Sequence, residues 1–366
     1  MTYLDHGATS FPKPQKVRSA VQQAMLRCAN PGRGGYPAAM EAEKVVYDCR
    51  EVAAEFFGCL PEQVVFTFNC THGLNIAIRS LVQPGGRVLV SGFEHNAVMR
   101  PLYALNARVE IAGRKLFDWE DTLKDFDRKL ERGVDAVIVT HVSNVFGYIL
   151  PVEQIAELCR MRQIPLVIDA AQSAGSLPLS MDLGAAFIAM PGHKGLLGPQ
   201  GTGILLCGDP GKPLLFGGTG VASREKTMPQ QTPERLEAGT LNVPGIAGLG
   251  AGIRHIRQEG RENIFRREHE QMLQCVRGLN KLGMRVFSGQ HQAGTVSFIP
   301  GQDPEEAAQF LVSQGIAVRS GLHCAPLAHE SAGTLETGTV RISFGHNASA
   351  AQTAGFLLAA SKLPQF

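Results

Sequence analysis

The chain of 366 residues is 19% charged and 44% hydrophobic, a balance that excludes a disordered protein and, at this length, a single small core. With 35 Lys and Arg against 33 Asp and Glu, the net charge is +2, so electrostatics gives no case for a nucleic-acid or membrane partner. The opening Met1-Thr2-Tyr3-Leu4-Asp5-His6 has no signal-peptide pattern, no apolar stretch reaches membrane-spanning length, and the 8 cysteines form no CxxC pair; a cytoplasmic protein with free thiols is expected.

In chain order, Met40–Phe57 repeats apolar residues at helical spacing, at Ala42, Val45, Val46, Cys49, Val52, Ala53 and Phe56. Val64–Phe68, Val88–Ser91, Ala136–Val142, Leu166–Asp169, Phe187–Met190 and Gly203–Cys207 read as buried strands. Val152–Gln163 is a helix that begins after Pro151. Strands alternating with helices predict an α/β domain with a mainly parallel sheet. Beyond about residue 255 the texture changes, with one long charged helix over Arg254–Leu282, a strand at Thr295–Ile299, a helix at Pro304–Ser313 and a strand at Thr339–Phe344. The expected organisation is a large domain over residues 15–250, with residues 1–14 and 251–366 forming a smaller α+β domain.

Chemistry-bearing residues recur where strands end. Val64–Phe68 runs into Asn69-Cys70-Thr71-His72-Gly73, a polar turn at a helix start where free N–H groups suit a phosphate or simply a cap. His95 follows Val88–Ser91, Asn144 follows Ala136–Val142, and Asp169 closes Leu166–Asp169. Lys194 stands in Pro191-Gly192-His193-Lys194-Gly195 after Phe187–Met190. A lysine at the carboxyl end of a buried strand suits Schiff-base chemistry, and a buried aspartate needs a cationic partner such as a pyridinium nitrogen. Neither dinucleotide nor P-loop glycine motifs occur. Cys324 with His323 and His329 lacks a fourth ligand, so no metal site is expected.

The chain resembles the class V aminotransferase-like enzymes of fold-type I, and within them the cysteine desulfurases of the short-loop branch. The resemblance runs through Tyr3-Leu4-Asp5-His6-Gly7-Ala8-Thr9, Asn30-Pro31-Gly32-Arg33-Gly34, Glu94-His95-Asn96, Ser143-Asn144 and Asp169-Ala170-Ala171-Gln172. It continues through Gly192-His193-Lys194, Glu237-Ala238-Gly239-Thr240-Leu241-Asn242, Arg319-Ser320-Gly321-Leu322-His323-Cys324-Ala325 and Val340-Arg341-Ile342-Ser343. It implies a seven-stranded large-domain sheet and pyridoxal 5′-phosphate carried on Lys194. Asp169 would pair with the pyridine nitrogen, His95 would stack on the ring and Gln172 would contact the phenolic oxygen. Thr71, with its neighbour Cys70 and with His193, would hold the phosphate. It implies a homodimer in which Thr240 reaches the partner's phosphate, Arg341 binding the substrate α-carboxylate, and Asn144 near the substrate. Lys194 would take the Cα proton of L-cysteine, and Cys324 would take the sulfur as a persulfide for an acceptor protein, releasing L-alanine. Arg319 and His323 would favour the Cys324 thiolate. Cys28, Cys49, Cys59, Cys159, Cys207 and Cys275 are read as plain thiols.

Pro191 stands where relatives carry a hydroxyl, His72 where they carry Glu, His6 where Asn is frequent, and Phe216 where an acid is common. These departures leave two other readings open, a selenocysteine lyase and a class V transaminase in which Cys324 is incidental.

Overall fold

The computed structural model describes residues 1–32 and 34–364; Arg33 of the Asn30–Gly34 motif lies outside them. The strands, in chain order, are β1 (Thr2–Tyr3), β2 (Val64–Thr67), β3 (Arg87–Ser91), β4 (Arg108–Ala112), β5 (Ala136–Thr140), β6 (Leu166–Asp169), β7 (Phe187–Pro191) and β8 (Gly203–Cys207). They continue with β9 (Arg285–Phe287), β10 (Thr295–Ile299), β11 (Ile316–Ala317), β12 (Arg319–Gly321) and β13 (Thr339–Ser343).

Seven of these form one sheet in the order β2-β8-β7-β6-β5-β3-β4. Its members are parallel except β8, which runs against both neighbours. β2, β3, β5, β6 and β7 therefore all end at the same edge, and that edge is where ligands bind in open α/β sheets. The central strands are apolar throughout because helices cover both faces; every residue of β2, β5, β6, β7 and β8 is buried. The helix predicted over Met40–Phe57 spans Pro37–Phe57 and stops at Gly58, which takes a left-handed φ of 63°.

β4 was not among the expected strands. Arg108 and Glu110 interrupt its apolar residues, as suits an edge strand with one side unpaired. The single long helix expected over Arg254–Leu282 is two helices, Val243–Glu259 and Arg261–Lys281, broken at Gly260 with φ 84°. The first packs on the helices Gln15–Arg27 and Pro37–Phe57.

The remaining strands build an antiparallel sheet, β12-β13-β10-β9, backed by Arg261–Lys281, Pro304–Ser313 and Ala350–Ala360 around Phe298, Leu311, Ile342 and Phe356. The N-terminal segment joins this unit. β1 pairs with β11, and Leu4 lies in the same core. It then crosses to the large sheet, where Ser10 N–H donates to His193 O at 3.0 Å.

Two glycines let the loops after β6 and β7 touch backbone to backbone. A Cβ on Gly195 would lie 2.1 Å from Ala174 O, and one on Gly175, whose φ is 102°, would lie 2.3 Å from Gly195 O. Gly195→Ala should therefore lower the unfolding free energy by about 2 kcal/mol in urea titration. Gly355→Ala, in an open stretch of helix with nothing within 4 Å, should raise it slightly, by about 0.5 kcal/mol.

Candidate active site

The shared strand edge brings the sequence-marked residues together. Lys194 follows β7 in a turn whose preceding carbonyl, His193 O, accepts from Lys13 Nζ (2.7 Å), Thr9 Oγ1 (3.0 Å) and Ser10 Oγ (3.1 Å). The N-terminal segment thus fixes the lysine's backbone. Lys194 Nζ itself makes no hydrogen bond or ion pair among the described residues. Burial lowers its pKa, while the Asp169 carboxylate pulls the other way, which leaves a lysine nearer to the neutral, nucleophilic form.

Asp169, at the end of β6, is 2% exposed. Its Oδ1 accepts from Ala171 N–H (2.9 Å) and from the Cys70 thiol (3.5 Å). Burial and the adjacent carboxylate push the Cys70 thiol well up, so it stays protonated as a donor. Asp169 Oδ2 has no partner among the described residues and is available to a cationic N–H.

His95 caps the helix Asn96–Ala104, its Nδ1 accepting from Ala97 N–H at 3.0 Å. That bond leaves the ring proton on Nε2. Burial lowers its pKa, so the ring is held neutral. Neighbouring Glu94 is fully buried; its Oε1 accepts from Ser91 Oγ and from Thr140 N–H (2.9 Å), while Oε2 has no partner. Burial pushes its pKa up to about 8.

The turn after β2 opens the helix Cys70–Leu81, with Asn69 Oδ1 accepting from His72 N–H at 2.9 Å. The Cys70 and Thr71 N–H groups keep no protein acceptor among the described residues, and Thr71 is exposed. His72 stacks on Phe68 with centroids 4.7 Å apart, and burial keeps it neutral. His193 Nδ1 lies 3.1 Å from Thr9 Oγ1, and burial lowers its pKa to about 4. Gln172 Nε2 donates one of its two N–H groups to Gly7 O at 2.9 Å.

Arg341, on β13, is 2% exposed. It donates through Nη2 to Asp5 Oδ1 (2.7 Å) and through Nη1 to Asn144 O (2.9 Å), while buried Nε has no partner. Asp5 Oδ2 in turn receives Arg319 Nη2 at 3.1 Å. Cys324 is exposed, in contrast to Cys70, Cys49, Cys159, Cys207 and Cys275, which are buried. Of the residues beside it in sequence, Arg319 pairs with Asp5, and burial keeps His323 neutral.

Thr240 borders the turn after β2, lining a small pocket with Phe68 and His72. It is exposed and lines a hollow of about 700 Å³ with Tyr47, Arg50, Thr219 and Glu237. Its loop is anchored by Glu237, which takes Arg50 in two bonds of 2.9 Å and Phe66 N–H at 2.6 Å. Sequence reading missed Arg50 and the pairing role of Asp5. A charge on the buried face of Pro37–Phe57 signals the first; nothing local signals the second.

Comparison with known proteins gives a consistent family. A model of the family described as aminotransferase class-V matches residues 2–355. A probable cysteine desulfurase of Pyrococcus abyssi is 33% identical over 363 residues, covering 93% of this chain and 89% of the relative. One of Methanothermobacter thermautotrophicus is 34% identical over 361 residues with the same coverage, 93% and 89%. The apo cysteine desulfurase of Thermococcus onnurineus NA1 superposes with a TM-score of 0.91 at 33% identity, over 98% of this chain and 94% of that one.

Glu94 gives a prediction that needs no ligand. Its folded pKa lies above its unfolded one, so its contribution to stability is complete in acid and is lost as the pH climbs towards about 8. Glu94→Gln keeps the Oε1 acceptor and cannot ionise. Its stability relative to the unsubstituted protein should rise by at least about 1 kcal/mol between about pH 5.5 and 8 in urea unfolding. A difference that stays constant over this window would show that the carboxyl holds no proton.

Proposed function

The chain belongs to the class V aminotransferase family, on its cysteine desulfurase branch, and from that membership we propose a pyridoxal 5′-phosphate enzyme that converts L-cysteine to L-alanine and loads sulfur on Cys324. The observation that carries this is the meeting of Lys194, Asp169 and His95 at one strand edge with Cys324 tied to it, since Asn96 N–H donates to Cys324 O at 2.8 Å.

The residues fit the cofactor chemically. Lys194 Nζ is without a partner, Asp169 Oδ2 is open to a pyridinium N–H, and the Cys70 and Thr71 amides at a helix start suit a phosphate. Bound there, the cofactor supplies an electron sink for the pair left at the substrate Cα. His95, neutral and with its proton on Nε2, would cover the ring, and Gln172 Nε2 would donate its second N–H to the phenolic oxygen.

Arg341 orients the substrate α-carboxylate with the N–H groups that Asp5 and Asn144 leave unused. Lys194 Nζ takes the Cα proton. Cys324 Sγ attacks the substrate sulfur; the S–S bond forms as the sulfur–Cβ bond breaks, and the released pair stays with Cβ. Cβ takes up a proton, Lys194 Nζ returns the proton to Cα and the product leaves as alanine, while the outer sulfur stays on Cys324 until an acceptor protein takes it. A homodimer suits the exposed Tyr47, Phe68, Phe216 and Thr240, the last of which would reach the second subunit's phosphate.

The test measures alanine formed from L-cysteine and from selenocysteine. Cys324→Ala should reduce cysteine turnover by at least about 100-fold, and Lys194→Ala should abolish both activities and the borohydride-reducible attachment of the cofactor. Cysteine turnover unchanged in Cys324→Ala sinks the persulfide step. Selenide release that survives the loss of Cys324 while cysteine turnover disappears assigns the chain to selenocysteine.

A further inference from the structure

The turn that carries Cys324 is held in an unfavourable conformation. It follows β12, and its two central residues, His323 (φ 49°) and Cys324 (φ 58°), are consecutive non-glycine residues in the left-handed region. L side chains rarely occupy that region, and two in succession persist only where the surroundings over-determine them. Both carbonyls of the pair are claimed from outside the turn. Asn144 Nδ2 donates to His323 O at 2.7 Å, and Asn96 N–H donates to Cys324 O at 2.8 Å. The donors come from the loops after β5 and β3, so the large sheet's edge sets the position of a turn that belongs to the small sheet.

Asn144 has a second tie. Its own carbonyl accepts from Arg341 Nη1 at 2.9 Å, and Arg341 Nη2 holds Asp5 Oδ1 at 2.7 Å. Asp5 Oδ2 holds Arg319, at the start of β12, which leads back into the Cys324 turn. The contacts close a ring from Arg341 through Asn144 and His323 along the turn to Arg319, then through Asp5 back to Arg341.

We propose that Asn144 is a positioning residue that pins the Cys324 turn, and that through this ring the turn responds to a carboxylate bound at Arg341. An anion arriving at the free N–H groups of the guanidinium draws on the charge that also holds Asn144 O and Asp5, and Asp5 in turn holds Arg319. The turn is connected to both Asn144 and Arg319, so it changes its stability when Arg341 is occupied. This rests on the desulfurase reading for the identity of the carboxylate, not for the geometry of the ring.

The test follows hydrogen–deuterium exchange of the peptide spanning residues 319–326 in the holoenzyme, where the Ala325 N–H closes the turn on Leu322 O at 2.9 Å. Asn144→Asp, which keeps the shape but replaces the donor, and Asn144→Ala should each speed exchange there by at least about fivefold. Both should lower kcat by at least about tenfold with KM for cysteine moving less than about threefold, because the turn serves the sulfur step rather than substrate capture. Saturating L-alanine, the product, which carries the α-carboxylate but no sulfur for Cys324 to take, should change exchange of the same peptide in the unsubstituted protein and change it less in Asn144→Ala.

Unchanged exchange in both variants, or a rise in KM at constant kcat, overturns the positioning role. If the variants do not fold, the unsubstituted protein still decides the linkage. Alanine binding, seen as a change in the cofactor's absorbance, with no change in exchange at 319–326 overturns it. A failure of the desulfurase reading shows separately, as no alanine formed from cysteine by the unsubstituted enzyme.

Discussion

Asp169 is an anion held almost out of water at the end of β6, with no ion pair among the described residues. Its two hydrogen bonds, from the Ala171 amide and the Cys70 thiol, use only Oδ1. A buried carboxylate so placed costs stability unless something cationic completes it. Its field reaches the neighbouring groups: it opposes the burial that drives His95 and Lys194 towards neutrality, and it pushes Cys70 away from ionising. Burial is the larger influence on all three neighbours and Asp169 the next, and its carboxylate is fixed by β6 lying between β5 and β7 in parallel register, Thr140 beside Asp169 beside Ala189.

Parallel strands also explain why so much of the site was legible in the sequence. A strand buried on both faces is a short apolar run, and its end is marked by the first polar residue. Reading the runs therefore placed His95, Asn144, Asp169 and Lys194 at one edge before any contact was seen. The same signal failed at β4, where Arg108 and Glu110 satisfy the solvent side of an edge strand and hide it. It failed again at Gly260, because the charged pattern of two amphipathic helices continues across the break and only the glycine's φ of 84° divides them.

Other parts of the site were not legible because they are made by contacts between distant residues. Arg341 and Cys324 drew attention only through resemblance to a family. Asp5 meets Arg341 across 336 positions of sequence, and Asn144 meets His323 across 179. No periodicity or local motif encodes such pairs. Nor does any local pattern show that the fold pairs Arg319 with Asp5 and dehydrates His323.

These distant pairs have a common property. Arg341 with Asp5 ties the small sheet to the N-terminal segment, and that segment holds the Lys194 turn through His193 O. Arg50 with Glu237 ties the helix Pro37–Phe57 to the loop bearing Thr240. Each is a nearly buried ion pair, costly to desolvate and strongly directional. Apolar packing of similar area would hold the same elements together but would tolerate small slides between them. Chemistry shared between a lysine on one sheet and a cysteine on a turn of another does not tolerate such slides, since displacement by about 1 Å can cost a hundredfold in rate. Arg341 with Asp5 sits where the large sheet's edge, the N-terminal crossing and the small sheet meet, and there directionality is worth more to the reaction than the stability lost in burying the charges.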